Sequence, residues 1–498
     1  MYQKTHTMNN LYKIGVFAFL LLTGTIYAQE NRILETKVAD ILAQYPAKTN
    51  EYADQLSQKI VDLKGEGITQ FTDMLLPIGQ GNDTQVRYAL ESLARYCAAP
   101  GTDAARIMVE KAFLDALEKA EETEVKTFLI RRLHYCATDA SIPAMGALLS
   151  NPKLASPAIG VLTSIGTLKA GAILLSGLEQ NPKHIEIIKA LGVLKYDKAV
   201  PVLNKLAGST DVNIEKEALY ALSKIANPSS WSLLTSAVAK AEYKITDNDA
   251  TISYIEYARN LGVNGNSELS RKACDEIIKN TNSEEQLHLR TAAFSILRTN
   301  FGGEITKSLL NEAKKTSNKK YRQAIFNEAS KKMTSNEVKL WLKLYKKLSN
   351  EGKGQLLYTL ATRKEPEILT KGILPAINDK DILLKQEAIK ALVVYQKEKA
   401  VPTLAELLKT STSEEVLNTI YEALLISLTA EESNQLVDVF DTYSLASKKI
   451  TLALLKEKNA TQHFDFVAAL TKNAQPELQR EAYKTIPNVS SKQDVQID

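Results

Sequence analysis

The stretch Ile188-Lys189-Ala190-Leu191-Gly192-Val193-Leu194-Lys195-Tyr196-Asp197-Lys198-Ala199-Val200-Pro201-Val202-Leu203 returns 201 residues later as Ile389-Lys390-Ala391-Leu392-Val393-Val394-Tyr395-Gln396-Lys397-Glu398-Lys399-Ala400-Val401-Pro402-Thr403-Leu404, with ten of sixteen positions identical and no gap. Two unrelated amphipathic helices can share apolar positions by chance. They rarely share a turn, a proline and both flanking apolar registers as well. The recurrence is an internal repeat, and repeats of one supersecondary unit stack into arrays.

Between residues 133 and 235 the period can be measured. Leu133, Leu162, Leu191 and Leu222 head equivalent segments at spacings of 29, 29 and 31 residues. An apolar residue follows three positions on at Ile165, Leu194 and Ile225, and an apolar pair arrives at Ile173-Leu174, Val202-Leu203 and Leu233-Leu234; the first segment departs, with Cys136 and Ala144-Met145. Within one unit Ala218, Leu219, Leu222, Ile225 and Ala226 fall at i, i+1, i+4, i+7 and i+8, one stripe of a helix, with Glu215, Lys216 and Lys224 off it. The following segment opens near a proline, at Pro143, Pro201 and Pro402. Proline fits there because the first N–H groups of a helix have no intrahelical partner. Each unit is therefore predicted to be a helix, a short polar turn and a second helix. Such a hairpin buries both apolar faces only by stacking on its neighbours. The fold class that follows is all-α, an α-solenoid of stacked helix hairpins.

The Ala-Leu-x-x-Leu helix, the short Asp or Glu and Lys turn, and the Ala-Val-Pro-x-Leu helix resemble HEAT repeats, and are similar in particular to the short variety found in phycobilisome lyases. The resemblance is sharp over 83–235 and 380–428 and blurred over 268–375 and beyond 429. It implies a non-catalytic scaffold whose concave face, at polar positions of the inner helices, binds another protein. Exported arrays similar to this one are often joined to a domain resembling 3-keto-disaccharide hydrolases, so the resemblance also implies an alternative, an accessory module of a periplasmic carbohydrate-processing system. Nothing of that catalytic domain is visible in the 498 residues.

The first residues read as an export signal. Lys4 and Lys13 precede an apolar run from Ile14 to Leu22, and Ala28 offers a small residue before a cleavage point at Gln29. The run falls short of the ~20 apolar residues a membrane span needs. Cleavage predicts a periplasmic or secreted protein with no membrane span. Residues 29–80, with Pro46 and Pro77, are expected to form an off-register N-terminal helical cap, followed by repeats over 81–262 and 268–489 and a polar tail over 490–498. The Gly- and Asn-rich stretch 262–267 is the expected break between the two halves. About 470 residues exceed what one compact core supports, which agrees with an array.

Without residues 1–28 the chain carries 60 basic and 58 acidic residues, a net of +2, so no global basic field for nucleic acid exists. Local charge is uneven. Residues 305–350 hold twelve basic residues against Glu312, Glu328 and Glu337, and Lys339, Lys343, Lys346 and Lys347 share one face opposite Val338, Trp341, Leu342, Tyr345 and Leu348. A solvated lysine face is the plain account; a patch for an acidic partner protein or an anionic glycan is the functional one.

Catalytic constellations are absent from the sequence. His134, His184, His288 and His463 stand singly, none followed by Glu, whereas the His-Glu pairs of HEAT-type di-iron hydroxylases would be needed for a metal, so no metal or cofactor is expected. Gly65-x-Gly67, Gly79-x-Gly81 and Gly352-x-Gly354 lack a third glycine and a preceding strand, and each is read as a turn. Three cysteines, Cys97, Cys136 and Cys274, are present; Cys97 and Cys136, each in a Tyr-Cys-Ala triplet 39 residues apart, are expected to be small buried residues, because equivalent positions in successive layers lie ~8–10 Å apart, beyond disulfide reach. Tyrosines such as Tyr88, Tyr220 and Tyr421 sit on the helical stripe and are expected in the core or at its rim.

Overall fold

The computed structural model describes residues 33–491, and among them every regular element is helical. The proposed signal at 1–28 and nearly all of the 490–498 tail lie outside the described residues. The chain divides into two compact units, one ending at Asn264 and the other beginning at Gly265.

In the first unit seven helices form one ladder: α1 (Asn50–Asp62), α2 (Thr84–Tyr96), α3 (Thr123–Cys136), α4 (Ala155–Ile165), α5 (Ile185–Val193), α6 (Val212–Ile225) and α7 (Ala250–Val263). Each packs directly on the next. The helices between them, such as Leu168–Gln180, Val200–Leu206 and Trp231–Lys240, form a second layer beneath the ladder. The second unit repeats the plan with α8 (Leu287–Phe301), α9 (Lys319–Ser330), α10 (Asn350–Ala361), α11 (Ile382–Gln396), α12 (Glu414–Ser427), α13 (Leu445–Glu457) and α14 (Pro476–Val489). Each unit is thus an α-solenoid, with its core between the ladder and the second layer.

The local chemistry of one hairpin shows why the sequence folds this way. The Asp211 carboxylate accepts from the N–H groups of Asn213 (3.0 Å) and Ile214 (3.4 Å), which caps α6. The Asp381 carboxylate does the same for α11 through Leu384 N–H at 2.8 Å. Such caps satisfy N–H groups that the helix itself leaves open, worth about 1 kcal/mol each. Pro143, Pro201 and Pro402 all stand in the first turn of a second-layer helix, directly after a short 3-10 turn. Leu133, Leu162, Leu191, Leu222 and Leu392 are fully buried. In each apolar pair the second residue, Leu174, Leu203 or Leu234, is the buried one.

Two glycine pairs differ from the turn expectation. Gly65 and Gly67 lie inside the helix Lys64–Asp73, and Gly352 and Gly354 lie inside α10. The reason is packing. A Cβ on Gly354 would stand 2.6 Å from the Glu387 Cβ of α11, so the glycine permits close approach of two ladder helices and does not reverse the chain. Gly79 and Gly81 do sit in a loop with positive φ (87° and 148°).

The cysteines are buried, and Cys97 and Cys136 carry free thiols. Burial pushes the Cys97 thiol up to about 12 and raises that of Cys136 as well, so neither is a ready nucleophile.

Candidate functional site

Ladder helices have neighbours on two sides and the second layer beneath, which leaves one strip of each helix facing solvent. Adjacent strips are joined by ion pairs: Arg87 of α2 with Glu124 of α3 at 2.6 Å, Lys189 of α5 with Glu217 of α6 at 3.2 Å, and Lys224 of α6 with Glu256 of α7 at 2.8 Å. These pairs are partly exposed and contribute little each, ~0–1 kcal/mol. The second unit carries a different kind. Arg298 of α8 and Glu337 of the helix Ser335–Tyr345 meet at 2.6 Å with side chains only 2% and 8% exposed. Burial opposes ionisation of Glu337, yet hydrogen bonds from Arg298, Thr306 and Thr334 outweigh it and hold the carboxyl at about 2. Arg298 also donates to the carbonyls of Lys331, Gly302 and Ala329, so its guanidinium is fully engaged in holding hairpins together.

Among those ion pairs stand apolar side chains that point into water. Tyr88 and Tyr220 are exposed, which corrects the core-or-rim expectation: each lies one position before a buried pair, Ala89-Leu90 and Ala221-Leu222, and so is rotated off the stripe. Val193 at the end of α5 is 65% exposed. On the second unit the same strip carries Tyr358 of α10 and Ile426 of α12, 47% and 76% exposed.

Here the surface opens into a groove of about 590 Å³. Its floor is Val393, Val394 and Ala423, with Tyr358 and Ile426 at the margins. Lys390 lines the α11 wall, Glu422 the α12 wall, and Lys397 and Glu398 the turn after α11. At the other end the walls are tied together. Gln386 of α11 donates from Nε2 to Thr419 Oγ1 (3.0 Å) and to the Glu415 carbonyl (3.1 Å) of α12. On the opposite flank Lys364 donates to the last carbonyls of α11, those of Val394 and Tyr395, and the Tyr395 hydroxyl returns a bond to the Lys364 carbonyl at 3.0 Å. The groove is therefore framed by fixed helices. The sequence analysis did not find it, although two signals were there: Ile426 falls off the stripe made by Leu417, Ile420 and Leu424, and Lys390 and Val394 are matched positions of the repeat that do not belong to the core.

The four predicted lysines lie elsewhere. Lys339 and Lys343 are exposed on the helix Ser335–Tyr345, and Lys346 and Lys347 are exposed in the turn after it. That helix belongs to the second layer, and none of the four lines the groove. The stretch around them is less basic as a surface than as a sequence. Arg322 is buried, donating to Glu351 (2.8 Å) and Gln355 (2.7 Å), while Lys319 pairs with Glu351 and Lys331 with Glu328.

Groups suited to chemistry do not converge. Among the described residues no cluster of His, Cys, Asp or Glu is arranged to hold a metal, and no helix is long and apolar enough to cross a membrane. His463 meets Ser433 Oγ at 2.9 Å, but both are buried and Ser433 has no exposed surface.

A family model of HEAT repeats matches residues 182–255. This segment holds α5, α6 and most of α7, and hairpins of the same plan flank it, so the protein is a HEAT-like repeat protein. No curated protein matches the sequence. Among solved structures, the chain is similar to Kap121p (13% identity, 93% of this chain and 53% of that one, TM-score 0.39). It is also similar to importin beta (11%, 92% and 69%, TM-score 0.35) and to Kap95p in its complex with RanGDP (11%, 92% and 67%, TM-score 0.44). The chain spans about half the length of Kap121p.

Proposed function

We propose that this protein is a non-catalytic, exported scaffold that binds a partner protein on the solvent-facing strip of its ladder helices, the inner or concave side of the hairpins. The observation that carries this reading is the groove beside Ile426 and Tyr358. Large apolar side chains held in water on rigid helices, among charged groups, are the composition of a contact surface, with apolar anchors inside a polar rim. Export rests on the signal-like residues 1–28 alone. A photo-crosslinking residue at Tyr358 or Ile426 should capture one specific protein, while the same residue at Ser176, exposed on the second-layer helix Leu168–Gln180, should not; equal capture at all three would remove the reading. N-terminal sequencing of the mature protein should begin at Gln29.

The four lysines support a second contact for an acidic protein or an anionic glycan, because all four are exposed and make no ion pair among the described residues. Changing Lys339, Lys343, Lys346 and Lys347 together to serine should flatten the salt dependence of partner binding with stability within about ±0.5 kcal/mol per site. Identical salt profiles for both proteins would confine them to solubility.

A further inference from the structure

The groove between α11 and α12 differs in chemistry from wall to wall. We infer that it receives an amphipathic helix of the partner protein, one that places an aliphatic or aromatic anchor on the floor and carboxylates toward α11. This rests on the protein-binding reading above and specifies its occupant.

Three observations carry it. The first is shape. The groove runs along two helices, and its lining repeats at helical spacing: Lys390 and Val394 on α11, and Thr419, Ala423 and Ile426 on α12, with Lys397 in the turn that follows α11. A helix laid along them meets ridges at the same i, i+4, i+7 intervals it carries itself, as neighbouring ladder helices do. The second is apolar area. Ile426 is three-quarters exposed and Tyr358 nearly half, next to a floor of Val393, Val394 and Ala423. Covering these removes apolar surface from water, the main favourable term in association.

The third observation is charge. Lys390 on α11 and Lys397 in the turn after it bracket Val393 and Val394. Lys390 pairs with the partly exposed Glu387 of its own helix at 3.0 Å, and Lys397 makes no ion pair among the described residues. Glu422 stands on the facing wall. Carboxylates on the α11-facing side of the incoming helix meet these lysines, and a carboxylate facing α12 instead would meet Glu422 and be repelled. The lysines set orientation and on-rate more than affinity, which comes from the floor.

The repeat sharpens the assignment. At the equivalent place in the first unit Lys189 and Val193 recur, but Lys189 is held by Glu217 at 3.2 Å and residue 192 is glycine. A Cβ there would stand 2.8 Å from the Ala221 backbone of α6, so α5 and α6 lie too close for a groove. Val393 occupies the aligned position in α11 and lines the groove together with Ala423 of α12. Lys189 and Val193 are exposed as well, but the surface beside them has no hollow of this kind because glycine stands where Val393 does.

The test is a selection from a displayed library of helical peptides of about fourteen residues, randomised on one face, against the full chain. Survivors should carry Leu, Ile, Phe or Trp on that face with Asp or Glu along one flank of it. Their binding should weaken at least about tenfold with Val394→Asp or Ile426→Glu, as for a central anchor. It should weaken a few-fold, with a flatter salt dependence, when Lys390 and Lys397 both become Ser. Helix content and unfolding midpoint of each variant report that the fold is retained. Basic or proline-rich survivors, survivors indifferent to these changes, or none at all overturn the inference, as does self-association of the chain that Ile426→Glu abolishes. If crosslinking at Tyr358 still captures the partner in the Val394→Asp and Ile426→Glu variants, the ladder face binds but this groove is not the seat; if nothing is captured even by the parent chain, the wider reading fails.

Discussion

The pair α5–α6 in the first unit and the pair α11–α12 in the second are built from the same repeat and present opposite surfaces. Leu191 and Leu392 are both fully buried, Pro201 and Pro402 open the same second-layer helix, and Lys189 and Lys390 project at the same register. One pair is closed and the other frames a groove. Of the six aligned positions that differ, Gly192 against Val393 is the one that meets α6 in the first unit and lines the groove in the second. Residues that face the second layer preserve the array, while the residue facing the next ladder helix sets the spacing and so decides whether a surface is flat or hollow. Packed helices respond to one or two methyl groups because interiors leave no slack to absorb them.

The largest effect that tests this comparison is on the shared core. Leu191→Ala and Leu392→Ala should each cost ~2–5 kcal/mol. The chain has two tryptophans, Trp231 in the first unit and Trp341 in the second, so single-tryptophan variants report each unit separately during urea unfolding. Leu191→Ala should lower the Trp231 midpoint and Leu392→Ala the Trp341 midpoint, because hairpins couple to neighbours. If either change moves both midpoints equally, the units unfold as one and the comparison of separate pairs does not hold.

Next comes the position that differs. Gly192→Val should destabilise the first unit by ~1–3 kcal/mol, since its side chain meets the Ala221 backbone and must push α6 away. The reciprocal Val393→Gly should cost about 1 kcal/mol in helix propensity and abolish binding of the selected helical peptides as α11 and α12 close. A Gly192→Val protein as stable as the parent would show that the spacing is set elsewhere.

Smaller still is the surface charge. Lys189 and Glu217 form a half-exposed pair between helices, and Lys390 and Glu387 one within a helix. Lys189→Met and Lys390→Met should each change stability by less than about 1 kcal/mol. A double-mutant cycle on Lys189 and Glu217 giving more than that would mean the ion pair, and not Gly192, clamps α5 to α6.

The last prediction separates the units by acid. Burial lowers the His463 pKa below its ordinary 6.5, with Asp438 opposing weakly. The unfolded chain therefore binds the proton more readily than the folded one, so the second unit should lose stability as pH falls below about 6.5 toward the lower folded value. Glu337, held at about 2, adds a further loss from about 4.5 downward. The Trp341 midpoint should fall between pH 7 and pH 5.5, and His463→Gln should flatten that fall; an unchanged slope would place the sensitivity on other groups.

Much of the array was legible in the sequence because burial leaves a periodic trace. The stripe of α6, the first-turn prolines and the headed leucines could be read without coordinates, since a helix facing a core must be apolar at helical spacing whatever its neighbours are. Tyr88 and Tyr220 differ from the expectation because one residue is a rotation of about 100° on a helix, and beside a buried Ala-Leu pair the apolar pattern itself does not separate the two faces. Gly352 and Gly354 were misread because glycine marks either a turn or a close approach, and only the position of Glu387 tells which. The lysine stretch looked more basic than it is because the partners of Arg322, Glu351 and Gln355, lie outside the window counted.

The sequence by itself determined that the chain is a helical repeat, which residues form its core and where its hairpins turn, because these depend on local period and capping chemistry carried within each unit. The tertiary structure alone decided where the surface opens. A groove is a distance between two helices, and that distance depends on which side chain of one meets which backbone of the other, a relation between residues some thirty positions apart that no local pattern contains.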